Sequence, residues 1–88
     1  METQVNEKPE KEHVVTITVN EKAVEIAGPK ATGLEIKQAA IAQGVNIQLS
    51  FVLSEELPNR KTKIIGDNDE VTVNKNSKFV AVAPDDNS

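Results

Sequence analysis

Cysteine is absent from this chain, and so are tryptophan and tyrosine. The missing thiols exclude disulfide staples, cysteine-ligated zinc, iron–sulfur clusters and thiol nucleophiles together, and they fit a reducing compartment. Only two aromatic residues exist, Phe51 and Phe79, so a core must be assembled from Val, Ile, Leu and Ala. No apolar run approaches the ~20 residues that span a bilayer, and Met1-Glu2-Thr3-Gln4 does not open like a signal peptide. A cytoplasmic protein is expected. An excess of positive charge is missing too: ten basic residues stand against fourteen acidic ones, a net charge of −4. Binding to nucleic acid needs basic surface, and single strands need stacking aromatics, so neither nucleic acid nor anionic membrane is an expected partner. The one histidine, His13, has no companion ligands in sequence and no nucleophile beside it. It reads as a surface residue, and no metal, cofactor or catalytic constellation is expected.

What remains is the composition of an ordinary folded domain. Eighty-eight residues, 38% hydrophobic and 27% charged, suffice for one compact unit and not for two. Residues 1–13 are polar and aperiodic and read as a flexible N-terminal tail, residues 14–83 as the domain, and residues 84–88 as a C-terminal tail. Val14 to Val19 is β-branched throughout and alternates from Val15, which predicts a strand with Val15, Ile17 and Val19 inward. Asn20-Glu21-Lys22 interrupts, and Ala23 to Ile26 alternates again, predicting a hairpin whose turn type is open. After the breakers Gly28 and Pro29, Thr32 and Glu35 have the spacing of a capping box. A helix is expected from there to about Ala42, stopped at Gly44, with Ile36, Ala39 and Ala40 on one face and Leu34 and Ile41 flanking. Ile47 to Leu53 alternates and predicts a third strand, with Ile47, Leu49, Phe51 and Leu53 inward. Ser54 to Lys61 reads as a loop, Lys63 to Ile65 as a short strand, Val71 and Val73 as anchors of a crossing segment, and Lys78 to Val82 as the last strand. A hairpin, one helix and further strands give an α+β layer in which the helix covers one face of a mixed sheet of four to five strands. With the first and last strands side by side at its centre, that sheet is the β-grasp arrangement.

Thr16-Ile17-Thr18-Val19-Asn20, Thr32-Gly33-Leu34-Glu35-Ile36, Asp69-Glu70-Val71 and Lys78 to Pro84, in that order and spacing, make the chain resemble ubiquitin-like domains. The segment from Val14 to Pro84 more closely resembles the bacterial multiubiquitin family. The resemblance implies a protein modifier whose C-terminal carboxylate is activated and joined to a target lysine through an isopeptide bond. Its implied partners are an E1-like adenylating enzyme, an E2-like conjugating enzyme, a JAB-type peptidase and the target proteins, in operons linked to antiphage defence. Two departures stand out: one domain where the family name suggests tandem copies, and no Gly-Gly terminus, the last glycine being Gly66. Trimming of the tail, acceptance of an atypical end, and a chain that is not conjugated remain open.

Under the first reading the conjugation tail is Pro84, Asp85, Asp86, Asn87 and Ser88. Under the second, the domain is a non-conjugated interaction or assembly module. Both use the same candidate surface. If Phe79 and Ala81 face the helix, then Val80 and Val82 face away from it, as do Val52 and Val14 on their strands. These four valines form the candidate partner-binding face, the one that ubiquitin-like proteins use for recognition, although valine also suits strands whatever it faces. The acidic turn Asp67 to Glu70 loosely resembles a calcium loop but lacks its spacing, and turn chemistry explains it better. Lys22, Lys30, Lys37, Lys61, Lys63, Lys75 and Lys78 are candidate acceptors for a further tag, against the plainer role of solubilising charge. Oligomeric state is left open, with strand edges near Val24 and Lys63 available for pairing between copies.

Overall fold

The structure is a computed structural model and describes residues 13–84. Strands β1 (His13–Val19) and β2 (Lys22–Gly28) form the first hairpin, in antiparallel register from His13 opposite Gly28 to Val19 opposite Lys22. Two residues close it, Asn20 and Glu21, with φ of 51° and 69°. Positive φ at both central positions is the type I′ geometry whose twist suits a hairpin. Asparagine tolerates it, whereas glutamate bears a steric penalty there. Short β3 (Lys30–Thr32) then leads into helix α1 (Gly33–Ala42).

The helix start behaves as the Thr32/Glu35 spacing requires. Thr32 Oγ1 accepts from the Glu35 amide at 3.2 Å, and Glu35 Oε1 accepts from the Thr32 amide at 2.9 Å. Ile36 and Ala40 are buried and Ala39 is partly buried against the core; Gly44, at φ 96°, lies just past the last turn. Gly33 is required for another reason. A Cβ at this position would sit 2.3 Å from the Gly66 carbonyl oxygen. The Gly33 amide donates to Asp69 O at 3.1 Å and the Leu34 amide to Asp67 O at 3.2 Å, which pins the first helical turn onto the 66–69 turn.

The remaining strands are β4 (Val52–Glu56), β5 (Thr62–Ile65), β6 (Glu70–Thr72) and β7 (Lys78–Val82). The main sheet is five-stranded, in the order β2-β1-β7-β4-β5, with β1 and β7 parallel and the other neighbours antiparallel. The first and last strands therefore lie side by side at its centre, and one helix packs with it. This is the ubiquitin-like β-grasp fold. Its core contains Ile17, Val19, Val24, Ile26, Ile36, Leu53, Ile65, Phe79 and Ala81. Phe79 is the largest fully buried side chain, at 1% exposure. Burying each such apolar side chain contributes roughly 1.5–3 kcal/mol.

Three sequence expectations need correction. The third strand runs over Val52–Glu56, not Ile47–Leu53, and so begins inside the segment read as strand and ends inside the segment read as loop. Ile47 and Leu53 are buried as expected, Phe51 is half-buried, and Leu49 is exposed. The cause is the supply of partners: β7 ends at Val82, opposite Val52, and β5 ends at Ile65, opposite Leu53. Residues before Val52 have no neighbouring strand and turn under the helix instead. Secondly, Val71 belongs to a strand, β6, which pairs with β3 as a separate two-stranded sheet. Thirdly, β1 already includes His13, the last residue read as tail.

Candidate interaction face and the root of the C-terminal segment

Cross-strand partners point to the same side of a sheet, so the register maps the uncovered face directly. Val82 stands opposite Val52, Val80 opposite Ser54, and Ser54 opposite Ile64. Lys78 stands opposite Glu56, which stands opposite Thr62. Val82 is 53% exposed and Ile64 68%, while Val52 and Val80 are half-buried among their neighbours. Three of the four sequence-assigned valines thus come together, and Ile64 joins them. Sequence reasoning missed Ile64 because Lys63-Ile64-Ile65 has no alternation to assign its faces; only the pairing with Ser54 does so.

Val14 does not join this cluster. It shares the outer side of the sheet and is 70% exposed, but β1 and β7 run parallel with Thr18 opposite Lys78. Val14 lies four residues before that pair and Val82 four residues after it, a separation of about 26 Å at the usual rise per residue. Between them lie Thr16 and Thr18. At the near end, Thr18, Asn20, Glu21, Glu56, Lys78 and Val80 line a shallow depression of ≈ 370 Å³.

Strand β7 also delivers the C-terminal segment. Its parallel ladder with β1 is short, because β1 turns at Asn20. The Thr18 amide donates to Ser77 O and the Asn20 amide to Phe79 O, both at 3.0 Å. Beyond that point the Asn20 side chain replaces the missing strand. Its Oδ1 accepts from the Ala81 amide at 2.8 Å, and its Nδ2 donates to the Ala81 carbonyl at 3.1 Å. One carboxamide thereby holds the last turn of backbone before the exit at Ala83. Of the tail residues assigned from sequence, Pro84 is exposed, and Asp85, Asp86, Asn87 and Ser88 lie outside the described residues.

Lys37 departs from the expected set of acceptor lysines. It is 4% exposed, and its Nζ donates to Leu49 O at 2.6 Å and Phe51 O at 2.9 Å while pairing with Asp67 Oδ1 at 2.8 Å. An ammonium has three donors, and all are engaged. The other six candidate lysines are exposed. A signal in the sequence does separate Lys37 from them: its neighbours three and four residues away on the helix, Gly33, Leu34, Ala40 and Ile41, are all apolar, which sets it on the inward stripe with Gly33, Ile36 and Ala40. The Asp67–Glu70 turn is built as turn chemistry predicts: Asp69 Oδ2 accepts from the Gly66 amide at 2.8 Å. Among the described residues no cluster of three or more His, Asp or Glu could hold a metal ion, and no helix is long and apolar enough to cross a membrane.

Comparison with known proteins places the architecture in a lineage. The multiubiquitin family profile matches residues 15–85, from the third residue of β1 to just past the end of β7. No curated protein and no solved structure gives a significant match. Because the profile spans most of the chain and coincides with the β-grasp unit, this protein belongs to the multiubiquitin family.

Proposed function

We propose that the domain is a ubiquitin-like protein modifier, or its precursor, joined through its C-terminal segment to lysines of target proteins. Family membership is the observation that carries this reading. In this reading an E1-like enzyme adenylates the terminal carboxylate at the expense of ATP, releasing pyrophosphate. Transfer to E1-like and E2-like thiols follows, and a target lysine displaces the thiol to form the isopeptide bond. A JAB-type peptidase would hydrolyse that bond or trim the segment. The domain is then the passenger of this chemistry and not its catalyst, acting in the cytoplasm of a bacterium, in a setting of antiphage defence. Two features support it. The chain passes into its C-terminal segment from the central strand of the sheet, whose last residues are held by Asn20 through the Ala81 amide and carbonyl. The cluster of Val52, Val80, Val82 and Ile64 lies beside that exit, where partner enzymes could hold the domain while handling its end.

A second reading, a non-conjugated interaction module, is favoured by the same exposed cluster, which needs no covalent chemistry to be useful. Mass spectrometry of N-terminally tagged protein, expressed in its native host with its genomic neighbours, separates the two. A lysine adduct ending in this chain's C-terminal segment, at Ser88 or at a trimmed residue, establishes a modifier. Unmodified chain alone, with active partner enzymes present, leaves the interaction module.

A further inference from the structure

A β-grasp sheet has two free edges, here β2 and β5, and the structure treats them differently. The β1–β2 register turns the amide and carbonyl of Glu25 outward, away from β1. Both are already taken. The Glu25 amide donates to Gln43 Oε1 at 2.8 Å, and Gln43 Nε2 donates to the Glu25 carbonyl at 2.7 Å. The side-chain amide of the helix C-cap residue therefore imitates one peptide unit of a neighbouring strand, at the middle of β2. The outward groups of Ala23 and Ala27 remain on either side, but an incoming strand cannot engage them in sequence without displacing Gln43. The β2 edge is closed at its centre.

The β5 edge has no such plug. The Leu57 amide bonds to Lys61 O at 2.8 Å, which makes Leu57/Lys61 a hydrogen-bonded pair and, by alternation, turns the backbone groups of Thr62 and Ile64 away from β4. Among the described residues no hydrogen bond or ion pair occupies that edge. Its side chains have a defined character. Ile64 is 68% exposed and continuous with the valine cluster; the hairpin turn beside it carries Arg60 and Lys61, and Lys63 lies within the strand itself, all three exposed. Glu55 faces Lys63 across the β4–β5 pairing and Glu56 faces Lys78 across the β4–β7 pairing. Among the described residues no acidic side chain is paired across the strands with Arg60 or Lys61, although Glu56 lines the same depression as they do and the chain as a whole is acidic.

We propose that the β5 edge is a docking site for an extended, acidic peptide segment of a partner protein, which adds a sixth strand to the sheet beside Thr62–Ile65. An apolar residue of that segment would cover Ile64, and its carboxylates would lie near Arg60 and Lys61. The backbone ladder supplies the binding and the side chains the selectivity. A second copy of the domain is disfavoured as occupant on charge: antiparallel pairing of two β5 strands about Lys63 sets lysine against lysine, and like charges directly opposite destabilise a sheet. Pairing of β5 with β2 of another copy is blocked by Gln43. The site does not depend on conjugation and stands whichever reading of the function holds.

The test is a nuclear magnetic resonance titration of the ¹⁵N-labelled full chain. The probe is a capped eight-residue peptide of alternating valine and threonine, with two aspartates at one end. Saturable shifts at the Thr62 and Ile64 amides, with at least tenfold slower hydrogen exchange there and none at Glu25, are the expected result. Ile64→Lys and Thr62→Pro should each abolish the shifts. The first alters only an exposed side chain, and the second removes an outward amide on an edge that tolerates proline. A control peptide with lysines in place of the aspartates should bind at least tenfold more weakly. With Gln43→Ala, a second set of shifts should appear at Glu25. Shifts centred on Val80 and Val82 with unprotected Thr62 and Ile64 amides, shifts at β2 in the unaltered protein, concentration-dependent dimerisation through β5, or no saturable change at millimolar peptide would each overturn the proposal.

Discussion

Replacing Lys37 by methionine keeps the aliphatic stem in the core and removes only the ammonium. The loss can be worked from the three contacts it makes. Two are to the carbonyls of Leu49 and Phe51, at 2.6 and 2.9 Å, in the irregular segment that wraps under the helix. Hydrogen bonds to a charged group contribute about 1.5–3 kcal/mol each when partners are withheld from water. Here the figure belongs at or below the lower bound, because Leu49 is exposed and Phe51 only half-buried, so water can reach part of the site. The third contact is to Asp67, whose side chain is 51% exposed and can rehydrate; a pair so open to solvent contributes about 1 kcal/mol at most. Relief from burying an ammonium offsets some of the total. The expected net cost of Lys37→Met is about 2–3 kcal/mol, with Asp67→Asn below about 1 kcal/mol. For a domain of this size that corresponds to a fall in Tm of roughly 10–20 °C. Urea and thermal unfolding by circular dichroism measure it. A Lys37→Met variant within about 0.5 kcal/mol of the parent, the ordinary range for a surface substitution, would show that Lys37 does not tether this segment. The same geometry has a chemical counterpart: under limiting acetylation of the folded protein, Lys37 should react last among the lysines of residues 13–84.

Four further outcomes follow from the same structure. Glu21→Gly removes the penalty of a side chain at φ 69° and should stabilise the domain by about 1 kcal/mol, read as a higher urea midpoint at unchanged slope. Gly33→Ala drives a Cβ against the Gly66 carbonyl and should destabilise by at least about 2 kcal/mol; an unchanged midpoint would mean that the helix start and the 66–69 turn are not rigidly apposed. Asn20→Gly preserves the positive φ but deletes the carboxamide, so it should cost about 1–2 kcal/mol and speed hydrogen exchange at Ala81 more than at Leu53. Val82→Asp, at an exposed position, should leave Tm unchanged while lowering partner-dependent adduct yield or partner binding by about thirtyfold, the loss typical of a 2 kcal/mol hot spot.

Much of this fold is local and was therefore legible in residue order. Alternation from Val15 to Val19 and from Val24 to Ile26 places the right side chains inward because a strand's period is two whatever its partner. The Thr32/Glu35 capping box works because both of its hydrogen bonds close within one turn of chain. The last strand, Lys78–Val82, likewise carries its own pattern. Tertiary structure decided the rest, wherever a residue's role is set by a distant partner. Ile47 to Leu53 alternates as a strand should, yet only Val52 and Leu53 find neighbours, and carbonyls before them go to Lys37. Val14 has the same composition and the same face as Val80 and Val82, yet parallel pairing carries it to the far end of the sheet. Asn20 and Gln43 look like turn and cap residues, and become strand surrogates only because Ala81 and Glu25, 61 and 18 residues distant, present open backbone to them. Periodicity and capping thus determined which segments form elements. The register between those segments, set by hydrogen bonds that close over tens of residues, determined which side chains share a surface and which edge stays open.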